Sequence, residues 1–390
     1  MSEIIKEDNE NIVHTYNRFG VVLTSGKGSI LVDENGKEYI DFSSGIGTNI
    51  FGINDSAWIK AITSQANNIQ HTSNLYYSVP QVKLAKILCE KSGMKKVFFA
   101  NSGAETNECA IKTARKYSYD KYGEGRYEII TLINSFHGRT IATLSATGQD
   151  VFHQYFMPFV DGFKYVHAND IEELKNTISD KTCAIMIETI QGEGGVNALD
   201  SEFIKYIDKV CKEKDLVFIV DEVQTGNGRT GYFYSYQEYG VSPDVVTTAK
   251  GIGGGLPLGA ILFSDKTKDV LTPGTHGTTF GGNPICTAGA LSIVERIDSS
   301  LLDHVKECNK IIKKKLEGHK NIVSISGKGL MVGIELKDGI NSSDIVKEGI
   351  EKGVIMLTAK KKVRLLPALN IPFDILEKGL DILLEIVEAK

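Results

Sequence analysis

The chain has 390 residues, of which 42% are hydrophobic, so it is long enough to bury one large core or two domains. A net charge of −5 without a basic stripe argues against a nucleic-acid partner, and six scattered cysteines without a Cys-x-x-Cys pair indicate neither disulfides nor a zinc site. Because the acidic N-terminus lacks a signal-peptide core and no apolar run reaches membrane-spanning length, we expect a cytoplasmic protein that neither contacts a membrane nor holds a metal.

Residues 1 to about 55 are predicted to form an irregular arm followed by a small sheet. Two β-rich runs flank the turn Glu34-Asn35-Gly36-Lys37, which is typical of a β-hairpin. From Trp58 the pattern becomes helical, and from Val97 to about Phe263 short apolar runs alternate with helical periods. The runs are VFFA at 97, IITLI at 129, AIMIE at 184, LVFIV at 216, DVVTT at 244 and AILF at 260.

Continuously apolar strands that alternate with helices predict an α/β protein with a mainly parallel central sheet covered by helices. Residues 1–57 are assigned to the arm and part of a small domain, 58–295 to a large domain, and 296–390 to the rest of the small α+β domain. The helical spacing of apolar residues predicts core faces formed by Phe203, Ile207, Val210 and Cys211, by Val305, Cys308, Ile312 and Leu316, and by Leu376, Leu380, Leu383, Leu384 and Val387.

Lys250 lies where the strand-like run at 244–248 meets a glycine cluster. Glycine lets the backbone pass close to a bound group, so this amine is a candidate nucleophile. A lone lysine at a strand end is more often an ordinary surface residue. The choice between the two depends on what the other strand ends carry.

Three other strand ends carry polar groups. Ser102 opens a helix after VFFA, either as a plain N-cap or as part of an anion seat at the positive end of the helix dipole. Asp221 follows LVFIV, where it could either cap a turn or pair with a cationic ring nitrogen. A metal site at Asp221 and Glu222 is not indicated, because the histidines are scattered along the chain. Phe136 and Arg139 follow IITLI, where the ring could stack on a flat group and the guanidinium could clamp a carboxylate.

These groups together match the needs of pyridoxal phosphate. Lys250 would form a Schiff base with the cofactor, and Asp221 would keep the pyridine nitrogen protonated. The helix start at Ser102, Gly103 and Ala104 would hold the phosphate. We therefore interpret the strand ends as one cofactor site.

The chain resembles the class III aminotransferases of fold type I, in particular the acetylornithine aminotransferases, from about Tyr16 to near the C-terminus. The motifs that carry the resemblance are NSGAETNE, FHGRT, QGEGGV, DEVQTGNGRTG, TTAKGIGGGLPLGA, THGTTFGGNP and RLLPALN. The chain departs from the family pattern at Gly20, at FGINDSAW and at Glu188-Thr189. The resemblance therefore does not define the details of the substrate entrance.

The resemblance implies roles for single residues. Lys250 would bind the cofactor and shuttle a proton, with Asp221 at the ring nitrogen and Gln224 at the ring hydroxyl. It implies that the cofactor is also bound by Ser102, Gly103, Ala104 and Phe136. It further implies a homodimer with shared sites, in which Thr279 reaches the phosphate of the neighbouring subunit. Substrate would be bound by Arg139, Glu193, Arg364 and Tyr16, and Glu193 would pair with Arg364 when 2-oxoglutarate is absent.

The implied reaction is transfer of the ω-amino group of N2-acetylornithine to 2-oxoglutarate in arginine biosynthesis, which gives N-acetylglutamate 5-semialdehyde and glutamate. Enzymes acting on ornithine, succinylornithine or 4-aminobutyrate share nearly all these motifs, so these donors stay open as alternatives. A NAD-type oxidoreductase fits poorly, because the glycines follow Lys250 rather than a first strand. A non-catalytic binding protein of the same fold would be expected to lack Lys250 or Asp221.

Overall fold

The structure of the protein, a computed structural model, describes residues 2–390. Its helices are α1 (Glu3–Asn11), α2 (Ser44–Gly47), α3 (Ser56–Ala66), α4 (Val79–Ser92), α5 (Gly103–Tyr122), α6 (Ile141–Ala146), α7 (Ile171–Thr177), α8 (Ser201–Glu213), α9 (Pro284–Val294), α10 (Ser299–Leu316), α11 (Ser342–Lys352) and α12 (Phe373–Glu388). Its strands are β1 (Leu23–Lys27), β2 (Ile30–Asp33), β3 (Glu38–Asp41), β4 (Lys96–Ala100), β5 (Glu128–Leu132), β6 (Phe163–Val166), β7 (Thr182–Ile187), β8 (Ile190–Gln191), β9 (Asn197–Ala198), β10 (Val217–Asp221), β11 (Val245–Thr248), β12 (Gly259–Phe263), β13 (Ile322–Lys328), β14 (Met331–Leu336), β15 (Val354–Ile355), β16 (Leu357–Ala359) and β17 (Lys362–Leu365).

The central sheet has seven strands in the order β4-β12-β11-β10-β7-β5-β6. All six predicted apolar runs form strands in it, which confirms a mainly parallel sheet. β12 runs antiparallel to both of its neighbours. The physical reason is the short connection from Thr248 to Gly259, which has no crossover helix, whereas a parallel return needs a dozen or more residues. The edge strand β6 was not predicted, because its two central residues are exposed and it lacks an apolar run.

Two smaller sheets are built from the chain ends. The N-terminal region folds into three antiparallel strands rather than the predicted two, with a turn at Gly28 (φ 59°) between β1 and β2. β15 then pairs in parallel with β3, so Ile40 lies opposite Val354. A second sheet has the order β13-β14-β17-β16. The sheet shared by both chain ends supports one small domain made from them, and the division at 57/58 and 295/296 stays a prediction.

The N-terminal arm begins with a helix that the sequence pattern did not predict. α1 buries no residue, because its side chains are mostly polar.

The predicted core faces of α8 and α10 are buried. On α12 the predicted core face is confirmed except at Leu384, which is only partly buried, and Gly379 lies directly against Phe42. Within residues 2–390, no helix combines the length and apolar character needed to cross a bilayer.

Candidate active site

A cavity of about 470 Å³ lies at the carboxyl ends of the central strands. It is where open α/β sheets place their ligands, because loops from several strands converge there. The predicted site residues that line it are Ser102, Gly103, Ala104, Phe136, Arg139, Asp221, Gln224 and Lys250; further lining residues are Thr48, Asn101, Asn107, His137, Gly138, Glu188, Val223, Ala249, Gly255, Leu256, Pro257 and Leu258.

Lys250 follows β11 and begins a short 3-10 turn, Lys250–Ile252. Its φ is 48°, in the left-handed region that a lysine rarely adopts. Burial lowers the pKa of its amine below the ordinary value, and the carboxylate of Glu193 partly opposes this effect. A lysine held in this way has a larger neutral fraction than a surface lysine, which is the state that a nucleophilic amine requires.

Asp221 ends β10 and is 3% exposed. Its Oδ1 accepts a hydrogen bond from the backbone N–H of Val223 at 3.0 Å, and its Oδ2 accepts one from Nδ2 of Asn107 at 2.7 Å. Nδ1 of His137 lies 2.9 Å from the same Oδ2. Thr247 in turn donates to Oδ1 of Asn107 at 2.7 Å. The carboxylate is therefore held in one position from three directions.

Asn107 and His137 are site residues that sequence reasoning missed. The sequence pattern predicts no role for either residue. Both side chains are buried within the described residues, and Nε2 of His137 has no hydrogen-bond partner there. The sequence offers one signal for Asn107. Its polar side chain lies on the same helix face as Ala110 and Ile111, which are buried.

The turn between β4 and α5 presents the start of a 20-residue helix to the cavity. Ser102 is its N-cap, and its Oγ accepts the N–H of Glu105 at 3.2 Å. Only half of a capping box forms here, because the carboxylate of Glu105 reaches back to the N–H of Asn101 at 2.7 Å rather than to Ser102. A Cβ at Gly103 would lie 2.7 Å from Val223, so only glycine fits there. Free N–H groups at this helix start suit an anion.

The turn after β5 carries the aromatic ring and the arginine. The guanidinium of Arg139 lies 5.5 Å from the ring centroid of Phe136 and 4.2 Å from that of Phe152. Arg139 is exposed at the mouth of the cavity, whereas Phe136 is partly buried in it. The arrangement leaves a cation at the entrance, where it can meet a carboxylate.

Arg364 on β17 pairs with Glu193 next to the cavity. Nη1 of Arg364 lies 2.5 Å from Oε1 of Glu193 and donates to Oε1 of Gln224 at 3.2 Å. Burial raises the pKa of Glu193, but Arg364 more than offsets this effect, so the pKa lies below its ordinary value. The structure thus brings together the two residues that the resemblance predicted to pair, and Gln224 links them to the cavity.

Two further acidic side chains are buried near Asp221. Burial raises the pKa of Glu188, which lines the cavity, to about 7, and the neighbouring charge of His137 partly opposes this. Burial also raises the pKa of Glu222, which accepts hydrogen bonds from Thr225, Ser235 and the N–H of Tyr236 away from the cavity.

Tyr16 and Thr279 do not line the cavity of this chain. Tyr16 is 76% exposed on the N-terminal arm, and Thr279 lies exposed on the loop before α9. Their roles toward the substrate and toward a neighbouring subunit stay predictions.

The residues present fit pyridoxal phosphate. The cavity joins a desolvated amine, a buried carboxylate held by N–H donors, and a helix start that excludes any side chain at Gly103. These features match the aldehyde, the ring nitrogen and the phosphate of that cofactor, respectively.

Comparison with known proteins agrees with this geometry. The family model "Aminotransferase class-III" matches residues 12–387. The chain is 47% identical to the acetylornithine aminotransferase of Haemophilus ducreyi over 388 residues, 99% of each chain, and 47% identical to that of Methanocaldococcus jannaschii over 360 residues, 91% of this chain and 90% of the relative.

Solved structures are similar over the same length. The N-acetylornithine aminotransferase from Stenotrophomonas maltophilia superposes with a TM-score of 0.86 at 32% identity, covering 99% of this chain and 98% of the other. An ornithine aminotransferase from Toxoplasma gondii, described with partial occupancy of PLP at its active site, gives a TM-score of 0.94 at 30% identity, covering 99% and 94%. The chain therefore belongs to the class III aminotransferases, a family of pyridoxal-phosphate-dependent enzymes with the type I fold.

Proposed function

We propose that the enzyme transfers the terminal amino group of N2-acetylornithine to 2-oxoglutarate, a cytoplasmic step of arginine biosynthesis that gives N-acetylglutamate 5-semialdehyde and glutamate. The observation that carries the proposal is the Arg364–Glu193 pair beside the cavity that holds Lys250 and Asp221. Relatives named acetylornithine aminotransferase, up to 47% identical over nearly the whole chain, support this choice of donor.

When bound, pyridoxal phosphate supplies an electron sink for the bond broken at the amine-bearing carbon. Nζ of Lys250 would hold the cofactor and then carry the proton between that substrate carbon and the cofactor. The carboxylate of Asp221 holds a proton at the ring nitrogen, and Gln224 donates to the ring hydroxyl. The N–H groups at Ser102, Gly103 and Ala104 bind the phosphate, and Phe136 orients the ring.

The two substrates place opposite demands on the site. Acetylornithine presents an ω-amino group, and its α-carboxylate binds Arg139 at the entrance. 2-Oxoglutarate presents its α-keto group and needs a second cation for the α-carboxylate beside that group. The Glu193–Arg364 ion pair meets both demands, because it masks Arg364 in the first half-reaction and opens in the second. A buried unpaired charge is costly, so the arginine is paired in each state.

The donor is tested by the rates of the first half-reaction with acetylornithine, ornithine, succinylornithine and 4-aminobutyrate. We expect the highest kcat/KM for acetylornithine, measured from the change in cofactor absorbance in single-turnover experiments. Solved ornithine aminotransferases at about 30% identity make ornithine the main alternative. A higher kcat/KM for any of the other three donors would replace acetylornithine in the proposal.

We further propose that the enzyme is a homodimer whose sites are shared. Four large apolar side chains lie close to the Thr279 loop or lead into α4 and are strongly exposed in the single chain: Leu75 (89%), Tyr76 (70%), Tyr77 (100%) and Phe280 (62%). Asn74 donates to the carbonyl of Gly281 at 2.8 Å, so the two segments form one surface. Exposed apolar patches of this kind mark protein interfaces, and a second copy would bring Thr279 to its neighbour's phosphate seat.

Replacing Thr279 by alanine is expected to weaken cofactor binding about tenfold, since a hydrogen bond to a charged group is worth about 1.5–3 kcal/mol. Titration of cofactor-free protein with pyridoxal phosphate measures this, and sedimentation gives the oligomeric state. Thr272→Ala, on the same loop, is the control and should bind normally. A fully active monomer at the assay concentration would refute the shared site.

A further inference from the structure

Glu188 is a buried carboxyl group that the reaction described above does not use. It directly follows β7, is 5% exposed and lines the cavity. Its Oε2 accepts the N–H of Phe136 at 2.9 Å, and its Oε1 accepts the N–H of Gly192 at 3.3 Å. One side chain therefore connects residues 133–140, here called the aromatic turn, to residues 189–196, here called the glutamate loop because it carries Glu193.

The two segments also touch each other directly. A Cβ at Gly194 would collide with the carbonyl oxygen of Asn134 in the aromatic turn, and one at Gly192 would lie 2.5 Å from Oε1 of Gln224. Val196, at the end of the glutamate loop, has a φ of 55°, which a β-branched residue rarely adopts. Such a backbone persists only where surrounding contacts hold it, so the position of this loop depends on its neighbours.

A carboxylate suits this position because both groups that face it are donors. A glutamine would turn its NH₂ group toward one of the two N–H groups, and an aspartate is one methylene too short to reach both. The charged groups around Glu188 are His137, Asp221 and the amine of Lys250. Burial and the charge of Asp221 raise the pKa of this carboxyl group to about 7, whereas His137 and the N–H groups of Phe136 and Gly192 favour the ionised carboxylate that accepts both bonds.

We propose that Glu188 is a positioning residue that holds the aromatic turn and the glutamate loop at a fixed separation, so that the placement of Phe136 over the cofactor ring and the pairing of Glu193 with Arg364 are set together. This inference rests on the proposed function, because it concerns the same cavity. Its consequence is that one substitution loosens two segments that are distant in the chain, since Phe136 and Glu188 are 52 residues apart.

Hydrogen–deuterium exchange of the full-length, cofactor-free chain tests the structural half of the proposal. In Glu188→Gln, we expect faster exchange in peptides covering both the aromatic turn and the glutamate loop. The matched control is Glu222→Gln, an equally buried glutamate outside the cavity, which should speed exchange around Tyr236 only. Faster exchange in only one of the two segments, or in neither, would overturn the proposal.

The functional half is tested on the holoenzyme. Glu188→Gln should weaken pyridoxal phosphate binding about tenfold and raise kcat/KM for an α-amino donor such as glutamate relative to acetylornithine, as expected from a looser Glu193–Arg364 pair. Glu222→Gln should leave both quantities unchanged. Equal changes in the two variants would mean general destabilisation and would refute the positioning role. If the glutamine variant does not fold, Glu188→Asp takes its place with the same readouts. Failure of acetylornithine as the donor would leave the exchange result intact, so the two proposals fail separately.

Discussion

Replacing Lys250 by alanine is expected to lower the rate of transamination by at least about 10²–10⁴-fold, the range that proton transfer by a positioned side chain contributes. Its amine is desolvated in the cavity, and Asp221, Ser102 and Phe136 are already in place around it. None of these can replace a basic nitrogen at that position. The stability of the protein should change little, because alanine keeps the same left-handed backbone and removes only an amine whose charged form is disfavoured by burial.

The measurement is the single-turnover rate with acetylornithine, together with the thermal transition of the protein. Methylamine should restore part of the rate, because a small amine can enter a cavity of about 470 Å³. Lys164→Ala, which removes an exposed lysine 3.9 Å from Glu128, is the control and should be fully active. An alanine variant at position 250 that keeps the rate of the unmodified enzyme would eliminate the proposed role of the lysine.

Replacing Glu193 by glutamine is expected to raise the use of α-amino donors relative to acetylornithine by about tenfold or more. The glutamine keeps the volume of the side chain but leaves the guanidinium of Arg364, which is 4% exposed, without its charged partner. That cation then attracts the carboxylate of an α-amino donor in the first half-reaction. A charge-assisted hydrogen bond is worth about 1.5–3 kcal/mol, which sets the expected factor.

The ratio of kcat/KM for glutamate to that for acetylornithine reports this change. A suitable control is Glu238→Gln, which breaks a carboxylate–cation pair of similar length, 2.7 Å to Lys328, away from the cavity. Its donor ratio should match that of the unmodified enzyme. If Glu193→Gln leaves the ratio unchanged as well, the ion pair is not a switch between the two substrates.

Much of this site could be predicted from local patterns. Lys250, Asp221 and Ser102 each follow a continuously apolar run, and such runs become buried strands because their only favourable place is inside a covered sheet. Since the carboxyl ends of parallel strands meet at one edge, polar residues at those ends converge. The glycine at position 103 was informative for a related reason, because the helix start packs so closely against Val223 that a side chain there would collide with it.

Other features depend on partners that are distant in the chain. The donors to Asp221 come from α5 and from the aromatic turn, and the two bonds of Glu188 join the segments after β5 and β7. The local spacing of residue types does not indicate contacts between distant segments, so it predicts no role for Asn107, His137 and Glu188. The antiparallel direction of β12 is a similar case, because it follows from the route of a short connection rather than from the apolar character of the strand.

What the sequence alone predicts differs from what only the folded protein shows, and the difference has a physical reason. Burial periodicity, glycine-rich turns and helix starts are properties of neighbouring residues, so the amino-acid sequence alone was sufficient to predict the sheet and the convergence of Lys250, Asp221 and Ser102 at one cavity. Hydrogen bonds within the cavity and the pairing of Glu193 with Arg364 require elements that are distant in the chain to pack first. Only the folded protein, in which β17 lies beside the glutamate loop, shows how Gln224 connects the cavity that holds Lys250 to Glu193 and Arg364.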